Sequence, residues 1–250
     1  MARFKPFFLP LTVLAAWAVV TRLEVVSPYL LPPPHHVWEA AVELASAGLL
    51  HTHILTSLGR VLAGFLFTAL VAIPLAVIIF FFNFTEGYLR FVLEFIRNTP
   101  PLATVPLLIL WFGIGETPKL AVIILASFFP IFLNTLSGLR QTDRGLIEMA
   151  DTLDLTGREK LRFVLIPGAL PEIITGLRLG FGYSWRALIG AELIAASAGL
   201  GYMILDAEEL ARTDIVFVGI ITIGTLGYMF DMLFHALIGR CFFYRRRGIL

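Results

Sequence analysis

Apolar residues come in long runs, separated by short polar stretches that hold most of the Lys and Arg. Between Val61 and Phe82 the only polar side chain is Thr68. At about 1.5 Å per residue such a run reaches roughly 33 Å, enough to cross the hydrocarbon core of a bilayer. Five further runs predict spans near Phe7–Thr21, Leu89–Gly113, Pro118–Leu139, Ala169–Ala196 and Asp214–Gly239. Thr117 and Pro118 offer an N-cap and a first-turn proline for the fourth span. The third is irregular, because Asn98-Thr99-Pro100-Pro101 and Pro106 remove backbone donors. A break at that depth must be packed in protein or line a watery cavity. The pattern predicts an all-α, polytopic membrane protein with about six transmembrane helices in a single domain over residues 1–250.

Composition agrees. The chain is 58% hydrophobic, with a mean hydropathy of +0.87. Only 15% of residues are charged, against roughly 25% in soluble domains. The net charge of +1 argues against a nucleic-acid partner. The single cysteine, Cys241, excludes an intrachain disulfide and reads as a small apolar filler. The N-terminal stretch imitates a signal peptide, with basic residues, an apolar run and Ala16-Trp17-Ala18. Because the rest of the chain is itself membrane-spanning, an uncleaved first helix is expected.

Lys and Arg set the orientation. With the N-terminus inside, Arg3, Lys5, Arg90, Arg140, Arg144, Arg158, Lys160, Arg162, Arg240 and Arg245 to Arg247 fall in or beside cytoplasmic stretches. Only Arg22, Lys119 and Arg212 sit plainly outside, so both termini are expected in the cytoplasm of a cell (inner) membrane. The outer stretch after Pro32-Pro33-Pro34 has a weak helical stripe, Val37, Ala41, Leu44 and Ala45, which predicts an interfacial helix. His35, His36, His51 and His53 complete no familiar metal-ligand spacing, so no metal site is expected.

The stretch Glu148–Pro167 is polar and charged and lies between two long apolar runs. Thr142 or Asp143 can cap a first short helix, on which Met149 and Leu153 form an i,i+4 apolar stripe. Thr156-Gly157-Arg158-Glu159 matches a capping box, so a second helix begins there, limited by Pro167. A short amphipathic helix projecting from a membrane domain suits insertion into a partner's groove. No GxxxxGK[ST], HExxH, CxxC or GxSxG occurs. If ATP drives this protein, another chain hydrolyses it.

The spacing of this stretch resembles the EAA loop of binding-protein-dependent ABC importer permeases. Glu148, Met149 and Ala150 stand at the Glu-Ala-Ala positions, Asp154 at the glycine position, and Val164, Ile166 and Pro167 at the closing positions. Ser57-Leu58-Gly59-Arg60, Trp111-Phe112-Gly113-Ile114-Gly115, Pro167-Gly168-Ala169-Leu170-Pro171, Trp185, Ala191-Glu192, Gly199-Leu200-Gly201-Tyr202 and Arg212-Thr213-Asp214-Ile215-Val216 look like their counterparts in the nitrate, sulfonate and taurine branch. The resemblance implies a type I importer permease fold, with a core over 55–240 and a cytoplasmic coupling loop over 142–167. It implies a homodimer, two ABC ATPase subunits that hold ATP and Mg, and an extracytoplasmic substrate-binding protein. The chain itself would carry no cofactor and no catalytic residue. Glu148, Met149, Ala150, Leu153, Asp154, Leu155 and Gly157 are the expected coupling residues. The solute is expected to be a small anion such as a sulfonate, taurine, nitrate or bicarbonate. The alternatives are a vitamin precursor, or an ion-coupled secondary transporter.

Arg186, Glu192 and Asp231 are the charges noted inside apolar runs, where an unpaired charge costs about 2.5–3.5 kcal/mol on insertion scales. Arg186 and Glu192 lie roughly 120° apart on a helix and are not a simple intrahelical pair. Glu192 is expected toward the outer face and Asp231 toward the inner one. With Trp185 they are candidates for the translocation pathway, Arg186 as the charge that attracts an anion. Two stripes of small residues, Gly176, Gly180, Ser184 and Ala187, Ala191, Ala195, permit close helix approach and favour a dimer.

Overall fold

The computed structural model describes residues 5–82 and 94–247. In chain order the helices are α1 (Lys5–Arg22), α2 (Pro34–Ser46), α3 (Leu49–Phe81), α4 (Val105–Phe112), α5 (Glu116–Arg140), α6 (Arg144–Thr152), α7 (Gly157–Lys160), α8 (Ile166–Ala195), α9 (Leu200–Glu209) and α10 (Thr213–Arg247). A 3₁₀ turn, Pro101–Thr104, leads into α4, and a π turn, Leu161–Leu165, joins α7 to α8. No strand occurs among the described residues. Four helical runs are long and apolar enough to cross a membrane: Leu49–Phe81, Glu116–Arg140, Gly157–Ala195 and Thr213–Ala236. Phe8–Arg22 and Pro101–Phe112 are shorter apolar helices. The expected third span is thus broken at its prolines, and its part from Leu89 to Leu93 lies outside the described residues.

Three sequence expectations need correction. Helix α3 starts at Leu49, three turns before Val61, and the threonines of its first turns are satisfied by the preceding turn. Thr52 donates to the Gly48 carbonyl at 3.0 Å and Thr56 to the Thr52 carbonyl at 2.7 Å. Helix α5 is capped by extended Gly115, not by Thr117. Pro118 then falls at the third helical position, where the missing N–H has no partner to lose. Pro167 ends nothing. The π turn just before it widens the helix and removes the usual clash, so one helical run continues from Gly157 to Ala195.

The chain divides into two compact units, Met1–Ser57 with Glu192–Thr225, and Leu58–Ala191 with Leu226–Leu250. In the first, the proline-rich connection after α1 is pinned. The Trp17 indole donates to the Pro32 carbonyl at 3.0 Å, and its ring stacks on Phe217 at 5.3 Å. Thr213 donates to the Tyr29 carbonyl at 2.6 Å. Helix α2 buries Val37, Ala40 and Leu44, close to the expected stripe.

The second unit is built on α5 and α8. A Cβ at Gly176 would stand 2.8 Å from the Asn134 Cβ, and one at Gly180 would stand 2.8 Å from the Ile131 Cγ1. Ala187 and Ala191 are buried against Val105, Leu108, Val122 and Ala126. Both stripes are therefore largely consumed inside the chain, where α8 meets α5 and α4. They give no support to the dimer expected from them. At the start of α5, the Arg60 guanidinium grips Glu116 through bonds of 2.6 and 2.7 Å, and Lys119 donates to the same carboxylate at 3.0 Å. Lys119 is buried, although its place in an outer connection predicts exposure.

Candidate coupling surface and solute cavity

The stretch between α5 and α8 folds into a compact local structure. Asp143 caps α6, its carboxylate accepting from the Gly145 amide at 2.7 Å. Helix α6 then ends in a reciprocal pair of backbone bonds, from the Leu155 amide to the Ala150 carbonyl at 3.1 Å and from the Asp154 amide to the Asp151 carbonyl at 3.0 Å. This is the Schellman arrangement, which needs a left-handed residue at the position after the cap. That residue is Asp154, at φ 52°. It keeps the backbone a glycine would supply. A non-glycine residue in this region costs about 1–2 kcal/mol. Asp154→Gly is therefore expected to stabilise the chain by about 1 kcal/mol, read as a higher thermal midpoint in detergent, with assembly unaffected. A lower midpoint would show that the Asp154 side chain contributes more than its strain costs.

The second arm begins at Thr156 with the expected capping box. Its hydroxyl accepts from the Glu159 amide, and the Glu159 carboxylate accepts from the Thr156 amide at 2.8 Å. Lys160 donates to Asp151 and ties the two arms together. Ala150 is buried, and Ile147 packs on the cluster of Leu139, Leu165, Ala169 and Ile173. This docking leaves Leu146, Met149 and Leu153 outward, at 46%, 53% and 63% exposure, with Phe163 exposed beside them in sequence at the π turn. Apolar side chains held outward on a prefolded element form a surface that loses little entropy when a partner covers it. Glu148 is exposed on the same helix, while Leu155 is half-buried and Gly157 opens α7.

The four pathway candidates go to four different places. Arg186 lines a cavity of about 1010 Å³ whose walls include Thr104, Trp111, Phe129, Asn134 and Tyr183. Its Nε donates to the Gly182 carbonyl at 3.1 Å, and its guanidinium lies 5.3 Å from the centre of the Tyr183 ring. It makes no ion pair among the described residues. Trp185, next in sequence, is buried instead among aromatic rings, 6.4 Å from Phe230, and is absent from the cavity wall. Asp231 accepts two bonds from Arg178, at 2.7 and 2.8 Å. Arg178 escaped the sequence reading, although it is a charge inside the fifth apolar run. Its position eight residues before Arg186 was the available signal.

Glu192 is fully buried in the first unit. Ser57 donates to its carboxylate at 2.8 and 2.9 Å, and the Gly201 amide donates at 3.0 Å. The Ser57 hydroxyl oxygen in turn accepts from the Leu200 amide at 2.9 Å, and His53 Nδ1 accepts from the Gly199 amide at 3.1 Å. The carboxylate thus sits on the N-terminus of α9, where unpaired amides and the helix dipole favour negative charge. Gly199, at φ 122°, is the only residue type that fits, since a Cβ there would lie 2.3 Å from a Glu192 oxygen. Further along α9, Asp206 accepts from the Tyr202 hydroxyl at 3.2 Å and pushes that phenol above its ordinary value. His53 is therefore a partner of the turn before α9. Among the described residues no cluster of His, Cys, Asp or Glu could hold a metal.

Residues 64–241 match the family described as binding-protein-dependent transport system inner membrane component. The chain belongs to that family. It is 38% identical over 229 residues to the taurine transport system permease protein of Escherichia coli, covering 90% of this chain and 83% of that one. It is 32% identical over 178 residues to the nitrate import permease protein of Synechocystis, covering 71% of this chain and 65% of that one. A solved structure of the MetNI methionine ABC transporter, in an inward-facing conformation, superposes with a TM-score of 0.67 at 15% identity, covering 77% of this chain and 96% of that one. That likeness concerns the fold. As a member of the family, this inner membrane component is a non-enzymatic, multi-pass ABC transporter permease with an all-α fold.

Proposed function

We propose that the chain is the path-forming subunit of an ATP-driven importer for a small anion. It would work as a homodimer with two ABC ATPase subunits and an extracytoplasmic binding protein, both termini lying in the cytoplasm. Residues 55–240 would form the importer core and residues 142–167 the coupling loop. The observation that carries this reading is the prefolded loop presenting Leu146, Met149 and Leu153 outward on a chain of this family. The relative named for nitrate transport supports an anionic solute, and the one named for taurine supports a solute with a sulfonate group; Arg186, which lacks a carboxylate partner among the described residues while facing a cavity, suits either.

In this reading the loop residues Glu148, Met149, Ala150, Leu153, Asp154, Leu155 and Gly157 receive the motion of the ATPase. The helical run Gly157–Ala195 begins in the loop and carries Arg186 on the cavity wall. A displacement at Gly157 is thus delivered along one rod to Arg186, roughly 43 Å away at about 1.5 Å per residue. Glu192 and Trp185 hold helices in place, and Asp231 is neutralised by Arg178. Of the four pathway candidates, Arg186 is the one proposed to meet the solute. ATP and Mg would reside in the ATPase subunits.

Arg186→Gln keeps a polar side chain and removes the charge. Uptake of an anionic solute by the reconstituted importer is expected to fall about tenfold, with expression and assembly near normal. Unchanged uptake would remove Arg186 from the path. Loss of expression would make its role structural.

A further inference from the structure

The chemistry of the Arg186 cavity is one-sided. Its wall contains two cations, Arg97 and Arg186, and no Asp or Glu among the described residues. Glu94 lines an adjoining pocket of about 340 Å³ with Phe95, Asn98 and Thr99, of which Phe95 and Thr99 also line the cavity. Most of the wall is apolar, with Leu102, Leu107, Leu125, Leu133, Leu179 and Phe129 contributing. The polar side chains are partly committed to their own backbone. Thr104 donates to the Pro101 carbonyl at 2.6 Å and Asn134 to the Pro130 carbonyl at 2.8 Å.

Three consequences follow. An anionic headgroup finds the Arg186 guanidinium, whose Nη groups make no hydrogen bond among the described residues. An apolar body finds leucine and aromatic walls in a volume at the upper end of the roughly 300–1,000 Å³ typical of organic-ligand sites. An ammonium group finds two repelling guanidinium groups and, among the described residues of the wall, no carboxylate, and a desolvated, uncompensated charge is costly.

We propose that this chain applies its own solute filter, and that the Arg186 cavity admits organic monoanions with an aliphatic or aromatic body while disfavouring zwitterions that carry an ammonium group. The inference rests on the importer reading above and narrows its solute class. The neutral side chain of Asn134 belongs to the filter, because a carboxylate there would supply the missing partner for an ammonium group.

The test uses the assembled permease–ATPase complex in lipid nanodiscs, without its binding protein. Benzenesulfonate, taurine and nitrate are titrated calorimetrically. Benzenesulfonate is expected to bind at least about tenfold more tightly than taurine or nitrate, and Arg186→Gln to abolish that preference. Asn134→Asp is expected to weaken benzenesulfonate and narrow the gap to taurine about tenfold. Thr104→Asp, on the 3₁₀ turn that also lines the wall, makes the same test if Asn134→Asp does not fold. Equal affinity for benzenesulfonate and taurine overturns the proposal, and so does the absence of binding by all three. Benzenesulfonate binding that ignores Arg186→Gln also overturns it, and marks the cavity as a seat for a lipid tail or a second copy. ATP-driven uptake in proteoliposomes separates the two levels. An importer that moves taurine and benzenesulfonate alike keeps the importer reading and loses the filter, whereas a chain whose transport ignores the ATPase loses the importer reading itself.

Discussion

Leu153→Asp is expected to leave the chain inserted and folded but to strip it of the ATPase proposed to couple to it. The side chain is 63% exposed at the C-cap of α6 and makes little contribution to the packing of its own loop. Burial of a leucine in a partner's groove is worth about 1.5–3 kcal/mol. Aspartate loses that gain and adds the cost of a desolvated charge. A loss of about 3 kcal/mol is more than a hundredfold in affinity. Copurification of the ATPase and hydrolysis stimulated by the loaded binding protein are the measurements. Leu153→Met, which keeps apolar volume, should retain both. If Leu153→Asp assembles and is stimulated like the parent, this loop is not the coupling element and the proposed function loses its main support.

Gly199→Ala is expected to be the most destabilising single methyl group in the first unit. The backbone there, at φ 122° and ψ 170°, is essentially restricted to glycine, and forcing another residue into it costs about 1–3 kcal/mol. The added Cβ also meets the Glu192 carboxylate at 2.3 Å. Moving that carboxylate away from Ser57 and the Gly201 amide leaves buried polar groups unpaired, at about 1–3 kcal/mol each. Together these come to about 3–9 kcal/mol, a large share of the roughly 5–15 kcal/mol that holds a typical domain folded. The expected readout is a fall of roughly 10 °C in the thermal midpoint of the detergent-solubilised chain, followed by size-exclusion chromatography. Ser57→Ala tests the same network without steric conflict and should lower the midpoint by a smaller amount. Midpoints unchanged in both variants would mean that Glu192 is not held by this network.

Local patterns were legible wherever the cause lies within a few residues. Four of the six apolar runs gave helices long enough to cross a membrane, because an uninterrupted apolar run of bilayer length is itself the signal. Thr156 and Glu159 announced a capping box, and it is present, because its partners are three residues apart. The prolines of the third span announced a break, and the chain there is a 3₁₀ turn followed by the short helix α4. Pro167 misled, because its effect depends on the π turn before it, and a widened helical turn leaves no clear trace in composition.

What only the tertiary structure decided is the meaning of the buried charges and the small residues. Glu192 and Ser57 are 135 residues apart, and Arg178 and Asp231 are 53 apart. No periodicity within one helix can announce such pairs. Trp185 and Arg186 are adjacent in sequence, yet one is buried among rings and the other lines the cavity, because neighbouring residues on a helix point about 100° apart. The glycine stripe of α8 showed that something approaches closely, but not what. Packing against Asn134 and Ile131 of α5 answered that. Sequence by itself determined the membrane class and the caps of the loop between α5 and α8, since these follow from composition and short-range spacing, while the resemblance of its motifs pointed to the permease family. Tertiary structure decided which charges are neutralised and that Arg186 lines a cavity, since that depends on which helices the fold brings together.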